Sequence, residues 1–188
     1  MHGYTATRLT LEAVALLSGA LIVIPTALTT AAYVRRAAVL PELIQLDSPL
    51  GRHFLEASEA HFVSSTDGSL RVQPERGRWP GLSLQEVWPD WRAYSTLIID
   101  VSNPGDQAFS ILVRIDDRRP DPHYRDRYNQ QFELAALSRR VIRIPVGEIE
   151  SGPTGAKMDL AHIQKIMLFE DGSTPTHTFY LNSLRLER

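Results

Sequence analysis

Apolar and polar side chains alternate most strictly in one segment near the middle of the chain. Ile111, Val113 and Ile115 fall on one side of this alternation, and Arg114 and Asp116 fall on the other. Because the side chains of a strand point to opposite faces with a period of two, one face is predicted to join a core and the other to carry charge. Candidate chemistry in this sequence is concentrated on the charged face.

Short segments of this kind recur from residue 61 onward, separated by turn residues. The predicted strands are His61–Ser65, Ser69–Gln73, Leu82–Val87, Thr96–Ser102, Phe109–Asp116, Gln130–Leu134, Arg140–Pro145, Ile163–Phe169 and Thr178–Leu186. Hairpin-type turns are expected at residues 66–68 and 171–173. The Asn-Pro-Gly sequence at residues 103–105 predicts that its two flanking strands pair as antiparallel neighbours. Together these signals predict an all-β fold, an antiparallel β-sandwich of the jelly-roll type, over residues 53–188.

The N-terminal segment follows a different pattern because it is almost continuously apolar. Residues 13–34 carry no charged side chain and are bounded by Glu12 and Arg35. A helix of about 20 residues is long enough to cross the apolar part of a bilayer. We therefore predict a single transmembrane anchor within residues 1–34, followed by a juxtamembrane linker with a short helix over residues 35–52. The alternative is a signal peptide cleaved at the small residues Thr30-Ala31-Ala32.

Composition excludes several classes of protein. The 188 residues have a formal net charge of −2, so nothing favours a nucleic-acid partner. The absence of cysteine excludes disulfides, thiolate metal sites and cysteine nucleophiles. The six histidines show no ligand spacing typical of zinc, and no glycine-rich phosphate loop or nucleophile elbow is present.

The charged face and the segments around it supply the candidate ligand-binding residues. They are Arg114, Asp116, Tyr124, Arg127 and Asn129, with Tyr124, Tyr128, Trp88 and Trp91 as candidate aromatic platforms. Sugars bind to such sets because aromatic rings stack on sugar rings while planar polar groups bind hydroxyls. The structural alternative is that Arg114–Asp116 and Asp126–Arg127 are ion pairs and that Trp91 is a core residue. A glycosidase-like carboxylate pair among the aspartates ranks lower, since hydrolysis needs a defined separation, and we predict no catalytic activity.

Several short motifs resemble a known family. They are Asp90–Tyr94, Asp100–Asn103, Arg114–Asp117, Tyr124–Asn129 and Met158–Ile163. They are similar to the galactose-binding-like jelly rolls of the family 11 carbohydrate-binding-module type, including those appended to VanZ-like bacterial membrane proteins. The resemblance covers residues 61–188 and implies a sandwich fold, a glycan as candidate ligand and a structural calcium as the one candidate cofactor. Asn182 stands where these relatives commonly carry an aspartate, although an amide oxygen can also bind calcium.

These observations predict a membrane-anchored, non-catalytic accessory subunit or binding module of a bacterial membrane complex. Its expected partners are the lipid bilayer and other membrane-protein subunits, because Ala27 and Ala31 are spaced for close helix packing. Two alternatives are an extracytoplasmic glycan-binding module and an assembly factor like the jelly rolls that assemble respiratory complex I. Arginines on both sides of the anchor leave its orientation open. The resemblance favours the inner membrane, crossed once, with the C-terminal domain in the periplasm.

Overall fold

The computed structural model describes residues 25–118, 125–172 and 176–188. Within these residues the chain forms ten strands and two helices. The strands are β1 (Leu55–Ser58), β2 (Ala60–Ser64), β3 (Leu70–Pro74), β4 (Gly81–Leu84), β5 (Thr96–Asn103), β6 (Phe109–Asp117), β7 (Tyr128–Leu134), β8 (Ser138–Pro145), β9 (Ile163–Phe169) and β10 (Phe179–Glu187). The helices are α1, residues 25–38, and α2 (Val146–Ser151).

The strands form two antiparallel sheets that pack face to face. Sheet I has the strand order β1-β4-β9-β6-β7, and sheet II has the order β2-β3-β10-β5-β8. The core lies between them and includes Ile111, Val113 and Ile115 of β6, all 0 % exposed. Arg114 and Asp116 point to the other side of the same strand. This architecture confirms the predicted all-β sandwich and the predicted alternation along β6.

The nine predicted strands overlap β2 to β10, but β1 was not predicted. β1 is an edge strand with one buried residue followed by three exposed ones, so its sequence carries almost no alternation. The hairpin between β2 and β3 is confirmed. Its turn contains Gly68 at a φ of 84°, a backbone conformation that glycine adopts without steric cost. Asp67 stabilises the same turn by accepting the N–H of Ser69 at 3.0 Å.

The Asn-Pro-Gly sequence does not join two paired strands, so that prediction is wrong. β5 lies in sheet II between β10 and β8, whereas β6 lies in sheet I between β9 and β7. Asn103 explains the difference, since its Oδ1 accepts the N–H of Gly105 at 2.9 Å and its Nδ2 donates to the carbonyl oxygens of Gln107 and Ala135 at 2.8 and 3.0 Å. These bonds hold a corner that carries the chain from one sheet to the other. The turn expected at 171–173 also connects different sheets, and Ser173 lies outside the described residues.

The predicted anchor lies mostly outside the described residues, which begin at residue 25. Of that segment the structure describes α1, which ends at residue 38. In the ranges that the structure describes, no helix combines the length and the apolar content needed to cross a membrane. The transmembrane anchor therefore stays a prediction.

The short helix expected in the linker is not observed, because the backbone of residues 39–52 forms turns and one β-bridge. The N–H of Leu43 donates to the carbonyl oxygen of Leu184 at 2.9 Å, and the N–H of Leu186 donates to that of Pro41 at 2.9 Å. The segment thus extends sheet II beside β10, and this pairing overrides the local helical pattern. Leu43, Ile44 and Leu46 are buried as part of the sandwich core.

We expect Leu43→Ala to lower the free energy of unfolding by about 2–5 kcal/mol, the usual cost of truncating a buried leucine, because Leu43 is 2 % exposed. Val63→Ala is the matched control, since Val63 is 56 % exposed and surface changes usually stay within about 0.5 kcal/mol. Urea denaturation of both variants measures the difference. Equal, small effects would mean that residues 41–46 contribute nothing to the core.

Candidate functional site

The outward surface of sheet I, on the side opposite the core, is the candidate functional site. Cross-strand register places Arg114 of β6 between Asn129 of β7 and Met167 of β9. We call this surface the polar face, and its central side chains are Leu112, Arg114, Asp116, Asn129, Gln131, Lys165, Met167 and Phe169. The register thus gathers side chains from three strands into adjacent rows.

Arg114 is held in the middle of the polar face by contacts on both sides. Its Nε donates to Oδ1 of Asn129 at 2.8 Å. Its guanidinium carbon lies 5.2 Å from the centre of the Phe169 ring, within the range of a cation–π interaction. The structure therefore brings two of the predicted site residues into direct contact and adds an aromatic ring that was not predicted.

A charged pocket of about 240 Å³ lies at one end of the polar face. Asp116 lies between two cations there, with Oδ1 3.6 Å from Nε of Arg127 and Oδ2 3.6 Å from Nζ of Lys165. Asp126 is also near Arg127, at 3.9 Å. The expected Asp126–Arg127 pair is present, whereas Asp116 pairs with Arg127, which directly precedes β7, and with Lys165 of β9. Three acidic side chains, Asp116, Asp117 and Asp126, and two basic ones, Arg127 and Lys165, line this pocket, so the acidic groups exceed the basic ones by one.

Of the remaining predicted residues, Trp88 and Trp91 lie against or within the core and not on the polar face. Trp91 is 0 % exposed, and its Nε1 donates to the carbonyl oxygen of Trp88 at 2.7 Å. Trp88 itself packs against the core. Trp91 is therefore a core residue, as the structural alternative proposed, and its ring is not accessible to a sugar, whereas Trp88 is partly buried against the core. Tyr124 lies outside the described residues.

The exposed aromatic ring of the polar face is instead Trp79, which packs on the buried ring of Phe169, and sequence reasoning missed both. Phe169 is 1 % exposed although it points away from the core, because Trp79 covers it edge-to-face with ring centres 5.6 Å apart. Trp79 is itself 39 % exposed. Its backbone N–H donates to Oε2 of Glu59 at 3.0 Å, which fixes the loop. The sequence did contain a signal for an exposed ring. It is a single tryptophan that follows Arg76-Gly77-Arg78 and precedes a proline, outside any apolar run.

The polar face is long enough for several contacts with one ligand. Phe169 and Lys165 lie four residues apart on β9, which at about 3.3 Å per residue separates their rows by about 13 Å. Trp79 and Phe169 form an aromatic end, with Gln131 in the same row as Phe169, and the charged pocket forms the other end. The row of Arg114 and Asn129 lies between the two ends. This arrangement allows ring stacking and hydrogen bonding along a single direction.

The residues around Asn182 do not fit the calcium site that the resemblance implied. Asn182 Nδ2 donates to Oδ1 of Asp100 at 3.0 Å and to Oγ of Ser102 at 2.8 Å. Arg139 binds both oxygens of Asp100, at 2.8 and 2.6 Å. The guanidinium supplies the positive charge that a calcium ion would supply. In the described part of the chain, no group of three or more His, Asp or Glu side chains is arranged to hold a metal.

No family model matches this sequence, and a comparison with curated proteins finds no match either. Solved structures of similar fold do exist. An exo-β-agarase is similar with a TM-score of 0.62 and 13 % identity over 78 % of this chain, which spans only 24 % of that enzyme. A family 11 carbohydrate-binding module from Clostridium thermocellum, in complex with a β-1,3-1,4-mixed-linked tetrasaccharide, has a TM-score of 0.54 and 16 % identity, covering 71 % of this chain and 83 % of the module.

A family 29 module complexed with cellulohexaose is similar with a TM-score of 0.51 and 10 % identity, covering 77 % of this chain and 88 % of the module. At these identities the similarity concerns the fold alone. The chain therefore has a carbohydrate-binding-module-like fold.

The Asp100–Arg139 pair predicts a pH-dependent contribution to stability. Hydrogen bonds from Arg139 hold the pKa of Asp100 below its usual value. Because this pKa is lower in the folded than in the unfolded chain, the stabilisation is present above about pH 4 and is lost as the pH falls through the folded value. Arg139→Gln should therefore lower the free energy of unfolding at neutral pH and lower it by less in acid.

Urea denaturation across this pH range measures the effect, with Arg76→Gln as the control. Arg76 is exposed and has no ion pair with any described residue, so its loss should change stability little at any pH. A deficit in Arg139→Gln that stays constant on acidification would show that Asp100 is not the group responsible.

Proposed function

We propose that this chain is a non-catalytic glycan-binding module and that its polar face binds an extended carbohydrate chain. The observation that carries the proposal is the exposed Trp79, which stands over the outward-pointing Phe169 at the end of a row of polar side chains. Aromatic rings bind the apolar faces of sugar rings, and amide and guanidinium groups bind sugar hydroxyls. Arg114, Asn129 and Gln131 supply such groups beside the aromatic pair.

The chemistry of the described face supports binding rather than hydrolysis. Asp116 and Asp126 lie 3.6 and 3.9 Å from Nε of the same Arg127. A glycosidase needs two carboxyl groups that flank the scissile bond in different protonation states. Carboxylates that share one guanidinium are held as ion-pair partners and are not arranged as an acid and a base across a bond.

Similarity of fold supports the same proposal. The family 11 and family 29 modules are described as complexes with a mixed-linked tetrasaccharide and with cellulohexaose. Both ligands are chains of several sugars, which agrees with a face whose aromatic and charged ends are about 13 Å apart. An oligosaccharide, more than a monosaccharide, would contact both ends at once.

We further propose that the module is held at the bacterial inner membrane, facing the periplasm, by the apolar segment that contains α1. One side of α1 packs on the sandwich through buried Ala32 and through Tyr33, whose ring lies 4.8 Å from that of Phe54. Elsewhere along α1, Leu28 and Val34 are 50 and 66 % exposed. Such an apolar surface suits contact with a bilayer. It equally suits a second transmembrane helix, which keeps an accessory subunit as the second candidate function.

The glycan proposal predicts that Trp79→Ala weakens oligosaccharide binding by at least about tenfold, since tryptophan truncation at a binding centre commonly costs 2 kcal/mol or more. Gln131→Ala should weaken binding by a smaller factor because Gln131 supplies only hydrogen bonds. Isothermal titration with the mixed-linked tetrasaccharide, cellohexaose and agaro-oligosaccharides measures both effects. Val141→Ala, an exposed apolar change on sheet II, serves as the control.

A melting curve of each variant separates lost binding from lost folding. Binding that survives Trp79→Ala in a folded protein would place the ligand elsewhere. If the unmodified chain binds none of these oligosaccharides but co-purifies with a membrane complex in mild detergent, the accessory-subunit hypothesis replaces the glycan proposal.

The membrane proposal predicts that the full chain stays with the membrane fraction after washing with high salt and alkaline carbonate. Residues 13–34 supply the length and apolar character for such retention. A chain that begins at residue 25 keeps the docked part of α1 and should be released into the soluble fraction. Release of the full chain under the same wash, or a mature N-terminus near Tyr33 by mass spectrometry, would contradict an uncleaved anchor.

A further inference from the structure

A second pocket, of about 350 Å³, lies away from the polar face. It forms where the corner at residues 103–105 meets residues 176–178 and the outward side of β3 and β10. Arg71, His177 and Tyr180 contribute the ionisable side chains of its lining. We call it the corner pocket. It shares no residue with the polar face, so its chemistry is independent of the glycan proposal.

The imidazole of His177 is fixed in the corner pocket. Glu170, which is 1 % exposed, accepts the backbone N–H of His177 at 2.8 Å and lies 3.0 Å from its ring Nδ1. The ring also stacks on Phe109, with centres 4.7 Å apart and planes 6° from parallel. Because Nδ1 is engaged by the carboxylate, Nε2 is the ring nitrogen left to contact a ligand.

Arg71 supplies the second functional group of the pocket. It lies on β3 opposite Tyr180 of β10. Its guanidinium is exposed and forms no hydrogen bond or ion pair with any residue that the structure describes. Most other arginines on the outward side of sheet II are paired, as Arg139 is with Asp100 and Arg143 is with Glu187. The five donors of the Arg71 guanidinium are therefore available to an external acceptor.

The charge of the corner pocket depends on the protonation state of His177. With Glu170 ionised and the imidazole neutral, the charges of Glu170 and Arg71 cancel. Protonation of the imidazole leaves one net positive charge beside the pocket. Burial raises the pKa of Glu170, and its hydrogen bonds with His177 oppose this rise. Of the other titratable groups nearby, Tyr180 lines the pocket, and the exposed Asp106 of the adjacent corner does not.

We propose that the corner pocket binds an anionic oxygen group, such as a carboxylate, sulfate or phosphate, between the Arg71 guanidinium and Nε2 of His177. The guanidinium fork matches the oxygens of such a group in a bidentate manner. The protonated imidazole donates a second, charge-assisted hydrogen bond, and Thr176 and Thr178 add hydroxyl groups at the rim. Binding strengthens as the pH falls, because His177 then changes from a hydrogen-bond acceptor at Nε2 to a donor.

Sulfate is a suitable probe because its own charge stays constant between about pH 5.5 and about pH 8, the range in which histidine titrates. We expect the full chain to bind sulfate at least fivefold more tightly at the acidic end of this range, a typical size for coupling between two binding events. Sulfate should also shift the imidazole NMR signals of His177, which reports its contact with the ion without any substitution. Chloride at equal ionic strength controls for screening.

Substitutions then locate the site. Arg71→Gln should abolish sulfate binding at both ends of the pH range, while Arg76→Gln removes the same charge outside the pocket and should leave it unchanged. His177→Gln should reduce the difference between acidic and alkaline pH to less than twofold. Repeating the titration with acetate and with phosphate identifies the preferred anion.

Two results would overturn the proposal. The first is sulfate binding that Arg71→Gln leaves intact. The second is a set of imidazole NMR signals of His177 in the unsubstituted chain that sulfate does not shift. Because these readouts use no oligosaccharide, failure of the anion site and failure of the glycan site are separate outcomes.

Discussion

The burial of one face of each sheet in a shared core determines where the side chains of the central strands lie. In β6, Ile111, Val113 and Ile115 are 0 % exposed, so Arg114 and Asp116 must point outward whatever their role. A shift of the pairing by one residue would expose these apolar side chains and move both charges into the core. Burying an unpaired charge costs several kcal/mol. The polar face is thus positioned by the packing on its opposite side.

Alternation along individual strands was enough to predict the sandwich, because it reports a local property of the chain. It could not predict features that depend on distant residues. The side chain of Asn103 bonds to carbonyl oxygens 31 and 32 residues away, and these bonds turn an apparent hairpin into a corner between sheets. Likewise, Leu43 joins the core because its backbone pairs with Leu184. Local sequence favoured a helix there, and pairing with a strand at the far end of the chain prevented it.

The same limit explains why the aromatic platform was missed while Trp88 and Trp91 were proposed. Phe169 ends an apolar strand, Ile163–Phe169, and its sequence does not distinguish an outward position from a core position. Only its register with Leu112 places it on the polar face. Trp91 is the opposite case, because its neighbours in the sequence are polar although its ring is fully buried. Burial of an aromatic side chain is decided by the partner elements, which a single sequence does not display.

The outward sides of the two sheets each contain one buried apolar residue, and their covers differ. Ile98 on sheet II is 0 % exposed and lies in register between Arg143 and Arg185, both of which bond to Glu187 at 2.9 Å. The two arginines that cover Ile98 are therefore already engaged in ion pairs. Phe169 on sheet I is covered partly by Trp79, whose indole N–H has no partner among the described residues. An exposed indole N–H without a protein partner can donate a hydrogen bond to a ligand. Side chains that are already paired with one another contribute to stability instead.

The two proposed sites also differ in how they should respond to the solvent. On the polar face, Asp116 is paired with Arg127 and Lys165, and a neutral ligand held by stacking and hydrogen bonds brings no net charge to them. Added salt, which screens exposed charges over about 8–10 Å, then has little effect on its affinity. In the corner pocket the charge next to Arg71 changes whenever His177 gains a proton. The affinity of the corner pocket must therefore depend on both ionic strength and pH. This difference distinguishes binding at the two sites even when one ligand carries both neutral sugars and acidic groups.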